Sequence, residues 1–163
     1  MNPTPAGWPR ISSSVFYRDA NAAIAWLCQA MGFTVRLKVD GPDGQVVHSE
    51  LCYGDGLVMV ASEAGEADEA GEEGKNGHGD SRAWKRLFRS PASLGGKGTQ
   101  CLMLIVDDVD AHCAHARASG ARVVEEPATH DYGAEYWTDR SYGALDPEGH
   151  LWWVTQRLRT GGA

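Results

Sequence analysis

The sequence lacks three features that would each indicate a class of function. It has no surplus of basic residues, since 15 Lys and Arg stand against 22 Asp and Glu, so binding of nucleic acid through charge is not expected. No apolar run approaches the roughly 18–20 residues of a membrane-spanning helix. The start, MNPTPAGWPR, has no apolar stretch typical of a signal peptide. We therefore expect a cytoplasmic protein with neither a nucleic-acid nor a membrane partner.

The cysteines also lack the spacing of a redox or metal motif. There are four of them, Cys28, Cys52, Cys101 and Cys113, without a CxxC pair, and each lies within an apolar segment. This pattern predicts reduced, mostly buried thiols rather than a disulfide framework.

The acidic charge that is present is concentrated in one segment. Six acidic residues lie between Glu63 and Glu73 with no basic residue among them, so the rest of the chain is almost neutral. Because residues 63–79 contain no apolar residue larger than Ala, we expect a mobile acidic loop there. The following segment, 80–89, surrounds Trp84, Leu87 and Phe88 with basic residues, which predicts a short amphipathic helix whose aromatic face packs against another element.

The two halves of the chain repeat one pattern of a strand, an Asp-capped helix, a glycine and a strand. In the first half the helix is expected after Asp19 or Asn21 and ends at Gly32; in the second it begins after Asp108 and ends near Gly120. The predicted strands are 11–17, 33–39, 46–53, 57–62, 100–106, 122–125, 135–137, 141–145 and 151–156. A β-α-β-β-β unit cannot bury its sheet alone. We therefore predict one domain made of modules 11–62 and 99–157, joined by a linker at 63–98.

Four segments of this repeat carry a resemblance to a known family. They are YRDANAAIAWLCQAMGF, SPASLGG, LMLIVDDVDAHCAHARASGARVV and DRSYGALDPEGHLWWVTQ. Over about residues 11–156 the chain resembles the vicinal oxygen chelate superfamily, in its glyoxalase and bleomycin-resistance-like branch. The resemblance implies an α+β fold in which two tandem βαβββ modules form an open, U-shaped mixed β-sheet cleft. It also implies a homodimer with a small-molecule ligand in that cleft.

The residues at the family's metal positions do not suit a metal. The resemblance places Ser12, Glu50, Cys101 and Trp153 at the four ligand positions. A divalent metal needs N, O or S ligands at about 2.0–2.3 Å, and only Glu50 is a good ligand as it stands. We therefore expect no resident metal or other cofactor. The alternative is a fallback metal site of His48, Glu50 and Cys101, because His48 shares a strand face with Glu50.

The cleft is expected to hold a mixed polar and aromatic surface. Strand parity, carried over from the resemblance, and the aromatic residues of the second module give the candidate ligand-binding residues Ser12, Ser14, His48, Glu50, Cys101, Met103, Trp137, Tyr142 and Trp153. Trp152 is expected on the opposite face, in helix packing. No Ser–His–Asp arrangement is visible, and GGKG at 95–98 lacks the context of a phosphate loop.

Three histidines outside the cleft are interpreted structurally. His112 and His115 are expected on the solvent side of the second helix. His150, which follows the turn of the DPEGH segment, is expected to brace that turn.

These residues predict metal-independent binding of a small aromatic or apolar molecule in the cleft. One alternative is a metal-dependent lyase or dioxygenase with an atypical site around Glu50 and His48. Another is a non-catalytic scaffold whose cleft is filled by its own side chains.

Overall fold

The computed structural model describes residues 2–41, 43–65 and 83–162. The first module consists of β1 (Ser13–Tyr17), α1 (Ala20–Met31), β2 (Thr34–Asp40), β3 (Val46–Tyr53) and β4 (Gly56–Ser62). The second consists of β5 (Cys101–Ile105), α2 (Val109–Ala118), β6 (Arg122–Asp131), β7 (Thr138–Leu145) and β8 (Leu151–Arg159). The predicted α+β architecture of two βαβββ modules is confirmed. Neither described α-helix combines the length and apolar character that crossing a membrane requires.

Each module forms its own four-stranded mixed sheet. The strand orders are β1-β4-β3-β2 and β5-β8-β7-β6, with the first two strands of each order parallel and the others antiparallel. Parallel neighbours need a crossover connection, and the helix supplies part of it in both modules. The two sheets are separate in the described part of the chain, so a continuous cleft is not assembled there from hydrogen-bonded strands alone.

The helix boundaries follow the signals in the sequence. The carboxylates of Asp19 and Asp108 accept the backbone N–H groups of Ala22 and Ala111, each at 2.9 Å. Such N-caps satisfy amides that have no partner within the helix. Gly32 ends α1 with a φ of 81°, a conformation that glycine adopts without steric cost.

The strand predicted at 135–137 is wrong, because this segment is a hairpin loop. Gly133 turns the chain with a φ of 103°, and the N–H of Tyr136 donates to the Gly133 carbonyl at 3.1 Å. The aromatic residues of the segment resemble a strand in composition, while Gly133 determines the backbone path. The last strand, in turn, continues three residues beyond its predicted end, and Arg159 at the end of β8 pairs with Asp131 at the end of β6.

Both helices pack on the inner face of their own sheet and against each other. The expectation of a solvent-side position on α2 is wrong for His112, which is half-buried, whereas His115 is exposed as expected and still reaches α1. The Nε2–H of His112 donates to the Met31 carbonyl at 3.3 Å, and His115 donates to the Gln29 carbonyl at 2.7 Å. The last carbonyls of a helix have no partner within it, so these histidines satisfy the end of α1. Burial lowers the pKa of His112, which keeps its ring neutral.

The linker covers part of the outer face of the first sheet. A short 3₁₀ helix, Ala83–Leu87, stands where an amphipathic helix was predicted. The ring of Phe88 stacks on Phe16 of β1 at 4.8 Å between centroids, and Trp84 meets both rings edge-on. The expected packing of the aromatic face is therefore confirmed. Most of the predicted acidic loop, 66–79, lies outside the described residues.

The turn between β7 and β8, residues 146–150, connects the two modules. One oxygen of the buried Asp146 carboxylate accepts the backbone N–H groups of Glu148, Gly149 and His150. The other accepts the Tyr17 hydroxyl at 2.7 Å and the Trp152 indole N–H at 3.2 Å. Burial, followed by the charge of Asp146, raises the pKa of Tyr17 well above its ordinary value.

Two further side chains of the same turn bind the first module. Glu148 accepts the backbone N–H groups of Arg18 and Asp19, each at 2.8 Å. The Nε2–H of His150 donates to the Phe16 carbonyl at 3.0 Å. His150 was expected to brace its own turn; Asp146 does so instead, and the His150 side chain holds β1.

We predict that Asp146→Ala lowers the free energy of unfolding by about 3–4 kcal/mol, because it leaves several buried donors without an acceptor. Urea unfolding followed by circular dichroism measures the effect. Asp55→Ala, in the exposed turn between β3 and β4, is the control and should change stability by less than about 0.5 kcal/mol. Equal losses in the two variants would contradict this role for Asp146.

Candidate functional site

The outer face of the first sheet carries a row of predicted site residues. Ser14 of β1 lies beside Met59 of β4, and Met59 lies beside Glu50 of β3. The Ser14 hydroxyl is within 4.0 Å of the Met59 sulfur. Strand parity therefore places Ser14 and Glu50 on one face, as predicted.

Both oxygens of the Glu50 carboxylate are engaged. Its side chain is only 8% exposed, and Oε2 accepts from Arg36 Nε at 2.7 Å. The Nε2–H of His48 donates to Oε1 at 3.1 Å, so His48 and Glu50 do share a strand face. The His48 hydrogen bond, followed by that of Arg36, lowers the pKa of Glu50 although its burial acts in the opposite direction. Glu50 therefore stays ionised, and its negative charge is balanced by the Arg36 guanidinium.

Arg36 is a site residue that the sequence reasoning missed. A register shift interrupts the pairing of β2 with β3 between Val35 and Leu37. Such a bulge re-aims side chains, and here Arg36 points to the face that carries Glu50. The only signal in the sequence was that a basic residue, Arg36, lies on the strand that precedes the strand of Glu50.

The N-terminal segment also reaches this site. The Trp8 ring lies 4.6 Å from the Arg36 guanidinium carbon, in a cation–π contact. The same guanidinium donates to the Gly7 carbonyl. Trp8 was not predicted as a site residue, and its only signal was a large aromatic in a proline-rich start. The segment thus helps to hold Arg36 on Glu50.

The outer face of the second sheet is apolar and exposed. Met103 is 67% and Ile105 49% exposed, and Trp153 lies beside Met103 in the register of β5 with β8. A Cβ built on Gly143 would lie 3.4 Å from the Trp153 ring, so the indole lies across this glycine of β7. Trp152 is buried in the core on the other face, as predicted.

Tyr142 does not line this surface. It is fully buried on the inner face, and its hydroxyl is 2.8 Å from Nδ1 of His112. Burial raises the pKa of Tyr142. Adjacent strand residues point to opposite faces, so Gly143, and not Tyr142, faces the side of Trp153. The prediction of Tyr142 as a ligand-binding residue is therefore corrected.

The remaining candidates occupy two other places. Ser12 and Cys101 border a groove of about 280 Å³ between the modules, which Met103 also reaches from the outer face. Among the described residues, none forms a hydrogen bond with the Ser12 hydroxyl. Trp137 lies in the hairpin loop between β6 and β7, with the Arg157 guanidinium 5.3 Å from its ring. These residues are not in one cluster with Glu50.

The donor set does not fit a divalent metal. Among residues 2–41, 43–65 and 83–162 no group of three or more His, Cys, Asp or Glu side chains is placed to hold one. Within the fallback set, His48 contacts Glu50, whereas Cys101 belongs to the other sheet. The positive charge of Arg36, which contacts the Glu50 carboxylate, would also repel a metal cation at this carboxylate.

We predict that His48→Phe and Arg36→Met each raise the pKa of Glu50, because each removes a hydrogen bond that favours the carboxylate. Titration of the Glu50 carboxyl carbon by NMR measures it. Lys38→Met, which breaks an ion pair with Asp40 on the same strand, is the control and should leave the Glu50 pKa unchanged. An unaltered pKa in both site variants would refute the arrangement.

The sign of the matching stability effect follows from the same pKa. A carboxyl whose pKa is lowered by folding stabilises the protein above its unfolded pKa, and this contribution is lost as the pH falls through the folded value. We expect the loss below about pH 4.5, the ordinary pKa of Glu50. In the variants at His48 and Arg36, the free energy of unfolding should therefore fall less steeply as the pH is lowered through this range.

Comparison with known proteins agrees with this architecture. The family model described as Glyoxalase/Bleomycin resistance protein/Dioxygenase superfamily matches residues 10–154. An uncharacterized protein of Mycobacterium bovis is 31% identical over 151 residues, which cover 93% of this chain and 85% of that protein.

Solved structures show the same likeness. TioX from Micromonospora sp. ML1 is 26% identical with a TM-score of 0.59, over 93% of this chain and 100% of that one. A glyoxalase/bleomycin resistance protein/dioxygenase family enzyme from Burkholderia phytofirmans PsJN, 20% identical with a TM-score of 0.58, covers 90% of this chain and 97% of its own and shares the fold. This chain belongs to the glyoxalase/bleomycin resistance protein/dioxygenase superfamily.

Proposed function

We propose that the protein binds a small aromatic or apolar molecule without using a metal. The observation that carries the proposal is the state of Glu50, the one carboxylate at a family ligand position. Arg36 and His48 occupy both of its oxygens, so it serves as part of a polar wall rather than as a metal ligand. A buried, neutralised pair of this kind orients a ligand without adding net charge to the site.

The apolar character of the outer faces supports the same proposal. Leu37 and Val39 are exposed on the first sheet, as are Met103 and Ile105 on the second. Exposed apolar patches of this kind mark binding sites or interfaces. The partly exposed indole of Trp153 offers a flat surface on which an aromatic molecule can stack.

The proposed site is completed by a second copy of the chain. The inner faces of both sheets are occupied by α1 and α2, which leaves the outer faces turned away from the common core. In a homodimer, the outer face of the first sheet of one copy and that of the second sheet of its partner would enclose the ligand. This arrangement matches the U-shaped cleft that the family resemblance implies.

We place this function in the cytoplasm. The four cysteines are all free thiols in the structure. Cys113 is buried, Cys28 and Cys52 are partly buried, and Cys101 is exposed, so the expectation of mostly buried thiols is wrong for Cys101. Free thiols are typical of reducing compartments.

We predict that protein purified without chelator contains far less than one metal ion per chain, and that planar apolar compounds raise its melting temperature. Elemental analysis and a thermal-shift screen measure the two. Trp153→Ala should weaken binding of a hit about tenfold, since stacking and apolar contact are lost. Leu158→Ala, on the same strand but at a position of opposite parity, is the control.

Two outcomes would contradict the proposal. Stoichiometric metal that Glu50→Ala abolishes would favour a metal-dependent lyase or dioxygenase. A screen in which no compound stabilises the protein would favour a scaffold whose cleft is filled by its own side chains.

We predict a dimer in sedimentation velocity, and we expect Met103→Asp to weaken it at least about tenfold because an unpaired carboxylate would be buried at the interface. Leu158→Asp, another exposed apolar position, is the control. A wild-type protein that sediments as a monomer at all concentrations would contradict the shared site.

A further inference from the structure

A pocket lies along the free edge of β1, on the side away from Glu50. Among the described strands, β1 is the end strand of its sheet and pairs only with β4, so no described strand occupies its other edge. The linker and residues 97–100 cover this edge and enclose about 250 Å³. We call this space the edge pocket; the residues used below are Ser14, Phe88, Arg89, Lys97, Thr99 and Gln100.

The backbone of β1 turns polar groups into the edge pocket. The Tyr17 carbonyl accepts from the N–H of Glu63 on the β4 side, whereas the Phe16 carbonyl accepts from His150 on the opposite side. Backbone groups of alternate strand residues point to the same edge. The backbone N–H and C=O of Ser14 therefore point in the same direction as those of Phe16, into the edge pocket that Ser14 lines. An N–H in this position is a donor for a ligand.

The charges that line the edge pocket are positive. Arg89 and Lys97 contribute to its wall, and none of its described lining residues is Asp or Glu. Arg89 also donates to the Phe88 carbonyl at 3.0 Å, so Lys97 is the charge on which the proposal depends. Two carboxylates near the linker accept from other groups. Glu63 accepts from the backbone N–H of Ser90 at 2.7 Å and from the Ser93 hydroxyl at 2.6 Å, and Glu148 accepts from backbone groups at the start of α1.

The wall of the edge pocket also contains an aromatic surface. Phe88 stacks on Phe16 with one side of its ring and remains 42% exposed. Thr99 and Gln100 add a hydroxyl and an amide, which donate hydrogen bonds. A volume of about 250 Å³ is just below the usual range of ligand pockets, so it suits a molecule with a single ring.

We propose that the edge pocket binds a small planar organic anion, such as an aromatic carboxylate. Its ring packs on Phe88, and its charged group lies beside Lys97 with donors from Thr99 and Ser14 nearby. This site meets the outer face of the first sheet at Ser14 and extends from there to the edge of β1 that faces away from β4 and Glu50. It gives a role to the GGKG segment at 95–98, which lacks the context of a phosphate loop.

Titration of the full-length, ¹⁵N-labelled protein with benzoate tests the proposal. Benzoate should shift the amide signals of Phe88 and residues 97–100. Benzyl alcohol, which has the same ring without the charge, should bind at least about threefold more weakly. Added salt should weaken benzoate binding, because the charges that recognise it are exposed.

Matched variants separate the charge from the general surface. Lys97→Gln should weaken benzoate binding about threefold to fivefold, while Lys38→Gln, an exposed lysine on β2 paired with Asp40, should leave it unchanged. Phe88→Leu should weaken benzoate and benzyl alcohol alike, since both lose the aromatic contact. Because Lys97 is exposed, an unperturbed amide spectrum is expected for Lys97→Gln.

Three results would overturn the proposal. They are equal affinities for benzoate and benzyl alcohol, equal affinities of wild type and Lys97→Gln for benzoate, and benzoate shifts confined to residues around Glu50. The last result would support the outer-face site while removing this one. Conversely, failure of the outer-face site in the thermal-shift screen leaves the signals of 97–100 as an independent readout.

Discussion

The buried carboxylate of Asp146 is the interaction on which the arrangement of the modules depends. It orders its own turn through three backbone amides and accepts from Tyr17 of the other module. An acceptor with five donors around it cannot be replaced by water without moving the turn. Glu148 and His150 are thereby presented to the end of β1 and the start of α1.

The position of β1 has consequences for every candidate site. One edge of the strand pairs with β4, its inner side chains enter the core, and its outer side chains Ser14 and Phe16 lie beside Met59 and the linker aromatics. Because the helices join the modules through their inner faces, the candidate sites lie on the outer faces, in the groove between the modules and in the edge pocket. The engaged state of Glu50 then favours recognition over metal chemistry on the first sheet.

The local features of the fold were predictable, and the long-range contacts were not. The capping residues Asp19 and Asp108 and the paired face of His48 and Glu50 were read from spacing, since their partners lie within a few residues. Tyr142 was misplaced because composition suggested an aromatic cleft while strand parity buried it. The partners of His112 lie 81 and 30 residues away, and no local pattern contains them.

The sequence by itself determined the two βαβββ modules, the helix ends and the family, because capping, glycine and strand period act over a few residues. Only the tertiary structure decided that Arg36 neutralises Glu50, that Trp8 holds Arg36, and that Phe88 covers Phe16. Each of these contacts joins segments that are distant in the chain, and the first depends on a bulge in β2. These contacts form, and stabilise the protein, only after the sheet and the modules have packed. The spacing of residues along the chain therefore cannot predict them.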